Sequence, residues 1–404
     1  MPSLFNSRIV SYSNNNGLIR SIMIKVLLAT SLIASSFAAL SNPLTVEEQR
    51  ISKAQTAMPT VLNAFNKEVT TFEQQFKALN NFKEAKQLIQ TYSFELWESA
   101  KQRIIKTNNY DDRALYWARL LSSKVIRTTA ANVELSDAQI NTLLSMLEEG
   151  SRGRTDLAFS SGSDKKIILT GFDPFLLDKN INQSNPSGVA ALLLDGQVIN
   201  YNGVSAEINT VMVPVRYEDF DQGIIESLLA PYYALNNVDM VVTVSMGRTE
   251  FDLEHFPGKR RSVTAPDNAN IVYGGTQTSP VIPQLNGRPL PGNEFVKFSL
   301  PVSAMQNAKG PYKVIDNREV TTLDKTFKAG SYGALKNSVA VNGGGGGYLS
   351  NEISYRSIRL RDALNSSIPT GHIHTPRIQQ FEPETEANIV KQIKAMLTQS
   401  LVAL

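Results

Sequence analysis

The chain has 404 residues, enough for two or three domains, and its 42% hydrophobic and 19% charged composition is that of a globular protein able to bury an ordinary core. Forty lysines and arginines stand against 37 acidic residues, a net charge of +3 that argues against a nucleic-acid partner. Cysteine is absent, which excludes disulfides, thiolate metal sites, thiol nucleophiles and a lipidated cysteine; His255, His372 and His374 are the whole supply of imidazole.

The first signal along the chain is an address. Met23-Ile24-Lys25 is a short positive start to the apolar run Val26 to Ala34, with Ser36-Phe37-Ala38 or Ala39-Leu40-Ser41 as the small-residue cleavage site. The run is too short and too rich in small residues to span a bilayer comfortably. Residues 1–41 therefore read as leader and export signal, with an uncleaved N-terminal anchor as the alternative, and the mature protein is expected to be periplasmic or secreted, with no membrane span once the signal is removed. The polar residues before Met23 have no role in such a signal, so Met1 and Met23 both remain open as the start.

Residues 42–150 read as a helical N-terminal domain. Thr45 and Glu48 stand at capping-box spacing, and Pro59 forces a kink or a fresh start. Beyond it Val61, Phe65, Phe72, Phe76 and Leu79, with Leu62 and Val69 between them, form one apolar stripe suited to packing on neighbouring helices. Helices are expected over 83–106, 111–127 and, after Ser136-Asp137-Ala138-Gln139, to Glu149. Nothing in this half carries catalytic chemistry.

A polar, glycine-bearing linker at 151–163 opens a different texture over 164–404. Short β-type runs at 167–170, 208–215, 240–244 and 338–341 alternate with helical segments at 187–194, 352–364 and 384–404. The alternation predicts an α/β fold: a mostly parallel sheet flanked on both faces by helices, a three-layer αβα arrangement with functional groups at the carboxyl ends of the strands. The stretch 274–310, rich in Pro, Gly and Asn, reads as long loops over one edge.

Three places near strand ends carry chemistry. Gly371-His372-Ile373-His374-Thr375-Pro376 puts two imidazoles on one face of a strand, which suits a pair of hydrogen-bonded polar residues or, with His255, a zinc site. Gly247 to His255 supplies carboxylates able to orient a histidine, or is a solvated loop of charges. The run Gly343 to Gly347 leads into Tyr348-Leu349-Ser350-Asn351 and a helix. There Ser350 is either a nucleophile beside an oxyanion site or an N-cap after a flexible loop.

In this order the segments resemble pyroglutamyl peptidase I, the pyrrolidone-carboxylate peptidase family of cysteine peptidases, over about 164–404. The resemblance rests on Lys166 to Phe175, which looks like the family's opening strand and turn, on Asn185-Pro186-Ser187, and on Gly247-Arg248 with Glu254 and Pro266-Asp267-Asn268. It continues through Gly346-Gly347-Tyr348-Leu349-Ser350-Asn351 with Tyr355 and ends on Gly371 to Pro376, at the family's spacing from nucleophile to histidine. It implies a peptidase removing an N-terminal pyroglutamyl residue, in which Ser350, His374 and Glu254 stand at the positions of nucleophile, proton relay and orienter. It also implies that Phe172 and Phe175 sandwich the lactam ring, with Asn185 beside them, and that no metal or cofactor takes part. The expected partners are peptides with a blocked N-terminus. The departures are Ser350 in place of cysteine, Val244-Ser245-Met246 for Gln-Ala-Gly, Leu176-Leu177 for Gly-Gly, and Thr264 for an arginine near the oxyanion, with Arg260 or Arg261 as substitutes. A serine must lose its proton during attack, which demands tighter geometry than a resting thiolate does. Three readings follow: an exported Ser-His-Glu hydrolase, a catalytically silent member that binds blocked peptide ends, and a metal site on the three histidines.

Overall fold

Seven helices open the described part of the computed structural model, which covers residues 43–160 and 162–404; the expected leader and signal lie outside it. Helix α1 (Val46–Gln49) starts with the Thr45–Glu48 capping box, both reciprocal bonds formed. α2 (Ile51–Ala57) ends at Met58, and Pro59 opens α3 (Pro59–Leu62) at its first position, where its missing N–H costs nothing. The apolar stripe is broken at 63–65 and resumes in α4 (Asn66–Lys77), burying Val69, Phe72 and Phe76. α5 (Phe82–Thr107) is capped by Asn81 and stopped by left-handed Asn108. α6 (Arg113–Thr128) follows, then α7 (Asp137–Gly150) with a second capping box, Ser136 and Gln139.

The remainder is a mostly parallel sheet covered by helices, as the alternation predicts. Its strands are β1 (Lys165–Phe172), β2 (Gln197–Tyr201), β3 (Val204–Val213), β4 (Met240–Met246), β5 (Phe251–Glu254), β8 (Val314–Asn317) and β12 (Thr370–Thr375), in the order β2-β3-β1-β4-β12-β5-β8. The central strands β3, β1, β4 and β12 are parallel, so their carboxyl ends share one edge; β5 runs antiparallel to β12 and parallel to β8. Interleaved helices are α8 (Pro186–Leu194), α9 (Tyr217–Asp221), α10 (Ile224–Leu235), α11 (Val302–Met305), α12 (Leu349–Ala363) and α13 (Pro383–Ser400). The 274–310 stretch is mostly loop, with a two-residue hairpin of β6 (Gln284–Leu285) and β7 (Arg288–Pro289).

Two expectations need correction. The run at 338–341 forms β11 (Ala340–Asn342), which joins β9 (Glu319–Thr322) and β10 (Thr326–Lys328) in a separate antiparallel sheet. Its Ala340 is buried with Phe256, Phe295 and Val320 in a small core of their own. Of the two readings of 247–255, the solvated loop of charges is the one that fails, because the segment contains β5, all four of whose residues are buried.

Residues 44–404 pack as one compact unit, and the helices share a core with the sheet: Trp97 and Leu143 belong to the same buried cluster as Ile167, Val189 and Ile208. Ser151 and Arg152, at the start of the expected linker, are buried. Gly153 has φ +78, and a side chain there would strike the Trp97 ring at 2.6 Å, so glycine is required on both counts.

Candidate functional site

Glu254, His374 and Ser350 come from three elements, the ends of β5 and β12 and the first turn of α12. Pairing of His374 with Ser245 on one side and Asp252 on the other fixes its strand between β4 and β5. On the face carrying both imidazoles, Glu254 Oε1 accepts from His374 Nδ1 at 2.6 Å. Its Oε2 accepts from Asn317 Nδ2 at 3.0 Å. With donors on both oxygens the carboxylate fixes the proton on Nδ1 and leaves Nε2 as a lone pair. Glu254 is wholly buried; burial pushes its carboxyl up, and the facing His374 opposes that push.

The glycines of the site are there for space. A side chain at Gly247 would come within 2.6 Å of His374 Cβ, and one at Gly344 would collide with Glu254 Oε2. The 343–347 run is pinned rather than flexible: Gly343 and Gly346 exchange backbone bonds of 3.0 and 2.9 Å, Gly344 N–H reaches Phe256 at 3.1 Å, and Asn317 Nδ2 donates to the Gly344 carbonyl at 3.2 Å. Asn351, bonded through both side-chain atoms to the Gly258 backbone, locks the start of α12 against the same turn.

Ser350 is not a cap, since Tyr348 holds that position and Ser350 lies inside the helix. Ser350 lines a cleft of about 100 Å³ together with Phe172, Phe175 and Asn185. Val215, Tyr348 and Leu349 complete the walls with Ser245 and Met246, the strand neighbours of His374 and Thr375. Backbone N–H groups in the first turn of α12 lack helical partners and favour negative charge. The Ser350 hydroxyl donates to the Gly345 carbonyl at 3.2 Å and makes no hydrogen bond to the His374 ring among the described residues. Asn185 spends its side chain on the local fold, accepting from the Ser187 N–H and hydroxyl and donating to the Asp173 carbonyl.

The departures from the family pattern have visible surroundings. Ser245 Oγ lies 2.8 Å from His372 Nε2, whose Nδ1 is 2.8 Å from Thr243 Oγ1, and burial pushes this imidazole's pKa well below its ordinary value. His372 thus has both ring nitrogens engaged by hydroxyls, whereas His374 is bonded through Nδ1 to Glu254. Thr264 is exposed, and neither proposed substitute is free. Arg260 is paired with Glu294, and buried Arg261 is divided between Asp221 and Glu352. Leu176 keeps the left-handed conformation glycine suits, at φ 59.

Among the described residues, the ring nitrogens of the three histidines do not gather into one cluster of metal-ligand size. His255 is bonded to Asp316 at 2.8 Å and packed against Phe256 and Phe298. Among the described residues, the ligand-type groups that do cluster are Glu98, Asp156 and Asp195, where Lys101 Nζ lies 2.7 Å from Asp195. Asn317, which holds both Glu254 and the glycine run, gave no signal in the sequence, because an asparagine on an edge strand has no motif around it.

Fold and site together define a three-layer αβα protein with a buried imidazole–carboxylate pair at the carboxyl edge of its sheet and a helical segment packed on it. Two family models match in succession: PA0049 N-terminal domain over residues 30–148 and PA0049, C-terminal domain over 166–292 and 332–379. The protein called "Uncharacterized protein PA0049" of Pseudomonas aeruginosa is 28% identical over 356 residues, 67% of this chain and 64% of that protein's length. Pyrrolidone carboxyl peptidase from Pyrococcus furiosus, solved together with its cysteine-free mutant, aligns at 18% identity with a TM-score of 0.41, covering 59% of this chain and 99% of that one. A point mutant of the same peptidase aligns at 19% identity with a TM-score of 0.40, covering 59% of this chain and 98% of that one.

Proposed function

We propose that the protein is an exported hydrolase of the pyroglutamyl-peptidase type that cleaves a pyroglutamyl or similar acyl group from a peptide N-terminus, with Ser350 as nucleophile, His374 as base and Glu254 as orienter. The buried His374–Glu254 pair carries this reading. A protein that only binds peptide ends has no physical need for a desolvated carboxylate holding one imidazole tautomer, and burying that charge is costly.

In the proposed reaction the Ser350 hydroxyl turns from the Gly345 carbonyl toward His374 Nε2, which takes its proton as Oγ bonds to the acyl carbon. The N–H groups at the start of α12 face the oxygen as it gains charge. Collapse breaks the C–N bond, His374 Nε2 returns the proton to the leaving amine, and water attacks the acyl-serine by the same route. The apolar cleft between Phe172 and Phe175 suits a flat ring of lactam size. Purified protein should release chromophore from a pyroglutamyl anilide, and Ser350→Ala should abolish the release; no turnover by the wild type counts against the hydrolase.

The second reading is a silent pocket that binds blocked peptide ends. What favours it is the Ser350 hydroxyl bonded to Gly345 instead of His374, with Arg260 and Arg261 both committed to carboxylates. Calorimetric binding of a pyroglutamyl peptide without turnover would establish it.

A further inference from the structure

Four polar groups from residues 44–152 reach into the loops that border the Ser350 cleft. Arg119, on α6 and 1% exposed, donates through Nη1 to both carboxylate oxygens of Asp173, at 3.0 and 3.2 Å, and through Nε to Ser151 Oγ at 3.0 Å. Arg152 Nη1 meets Asp173 Oδ2 at 2.6 Å. Asp173 lies between the two cleft phenylalanines, and its carbonyl accepts from Asn185 Nδ2 at 2.9 Å. At the start of α6, Asp112 Oδ1 accepts the Asn185 N–H at 3.2 Å. Farther round, Arg50 donates to the Asn268 carbonyl at 2.5 Å and to Asn270 Oδ1 at 2.8 Å, and binds Asp178. Asn268 in turn donates to the Pro174 carbonyl at 2.9 Å, while Tyr348 of the cleft donates to the Pro266 carbonyl at 2.9 Å.

Apart from the Arg119–Ser151 bond, which braces the arginine within its own segment, each contact ends on a segment that forms or adjoins a cleft wall, at 173–185 or 266–270, and none ends on the strands that carry Glu254 and His374. Leu177 reinforces the arrangement, buried among Ile51, Met58, Tyr116 and Trp117. A buried carboxylate satisfied by two arginines from another segment holds its backbone in one place far more firmly than a solvated loop would be held. We propose that residues 44–152 are a built-in part of the binding pocket, and that Arg119, Arg152, Asp112 and Arg50 are positioning residues that set the Phe172–Asn185 wall and the 266–270 rim. The proposal rests on the reading of the Ser350 cleft as the binding site.

Arg119→Met in the full chain tests it by hydrogen exchange and calorimetry. Amides over 171–185 should exchange about tenfold faster while β4 and β12 keep their protection, a local loosening that a general loss of stability would not give. The dissociation constant for a pyroglutamyl peptide should rise by about tenfold, with partial recovery in Arg119→Lys. If the loop loosens but not even the wild type binds the peptide, the clamp stands and the reading of the cleft falls. Unchanged exchange over 171–185 in a folded Arg119→Met overturns the proposal. Should that variant not fold, Arg50→Met is read over 266–273 instead, and unchanged exchange there overturns it equally.

Discussion

His374 and Glu254 show how much of a site two residues can define. The 2.6 Å bond from Nδ1 fixes the tautomer, and the second oxygen's bond to Asn317 fixes the carboxylate, so the pair is held in one arrangement by the fold alone. Glu254→Gln removes the charge that stabilises the imidazolium and lets the wrong tautomer form. It should lower kcat by on the order of 10³ to 10⁴ while leaving KM near its wild-type value, measured by steady-state kinetics on a pyroglutamyl substrate. The Leu176-Leu177 pair separates backbone from side-chain needs. Leu176 sits at φ 59, a conformation costing about 1–2 kcal/mol for a non-glycine residue, against about 0.5–1 kcal/mol of chain entropy lost to glycine. Leu176→Gly should therefore leave stability unchanged or raise it by up to about 1.5 kcal/mol in denaturant titration. Leu177→Ala empties a filled apolar seat and should cost about 2–5 kcal/mol in denaturant titration.

At the scale of elements, legibility followed local patterning. The capping boxes at Thr45 and Ser136, the β-branched runs of β1 and β4 and the helix after the glycine run were readable because each carries its own signal. β5 was not: Phe251-Asp252-Leu253-Glu254 alternates charge with bulk like a solvated loop, and only pairing with β12 and β8 on either side buries it. Nor was the acidic pair beneath the 182–185 loop. Glu386, in the first turns of α13, accepts from the Ser184 hydroxyl at 2.5 Å, and burial pushes its carboxyl up to about 8. Asp112, wholly buried, is pushed well up by burial, then by Glu386 and Asp111. A carboxyl whose folded pKa is raised binds more protons folded than unfolded between the two values, so its contribution falls as pH rises through that window. The share of stability from Glu386 should be present in acid and lost between the ordinary carboxylate range and about pH 8. Glu386→Gln keeps the acceptor for Ser184 without the charge, and should raise Tm at pH 8 while leaving it nearly unchanged at about pH 4.

At the scale of the molecule, the change of texture near 150 marks two kinds of chain, and yet Trp97, Leu143, Ile167 and Ile208 lie in one core. Calorimetry of the purified protein should accordingly give one transition with equal calorimetric and van't Hoff enthalpies. Composition and spacing could show that 42–150 is helical and that 164–404 alternates, but the contacts that join them, Arg119 to Asp173 above all, span 54 residues and leave no periodic trace. The serine at position 350, the nucleophile of the proposed reaction, gives the most direct test. Ser350→Cys adds little volume and supplies a thiol that His374 can ionise in advance. If the His374–Glu254 pair is a working base beside a lactam pocket, Ser350→Cys should raise turnover of a pyroglutamyl anilide above the wild type, and adding His374→Ala should remove it. A folded Ser350→Cys protein that releases no chromophore, with its His374–Glu254 pair intact, would contradict that account.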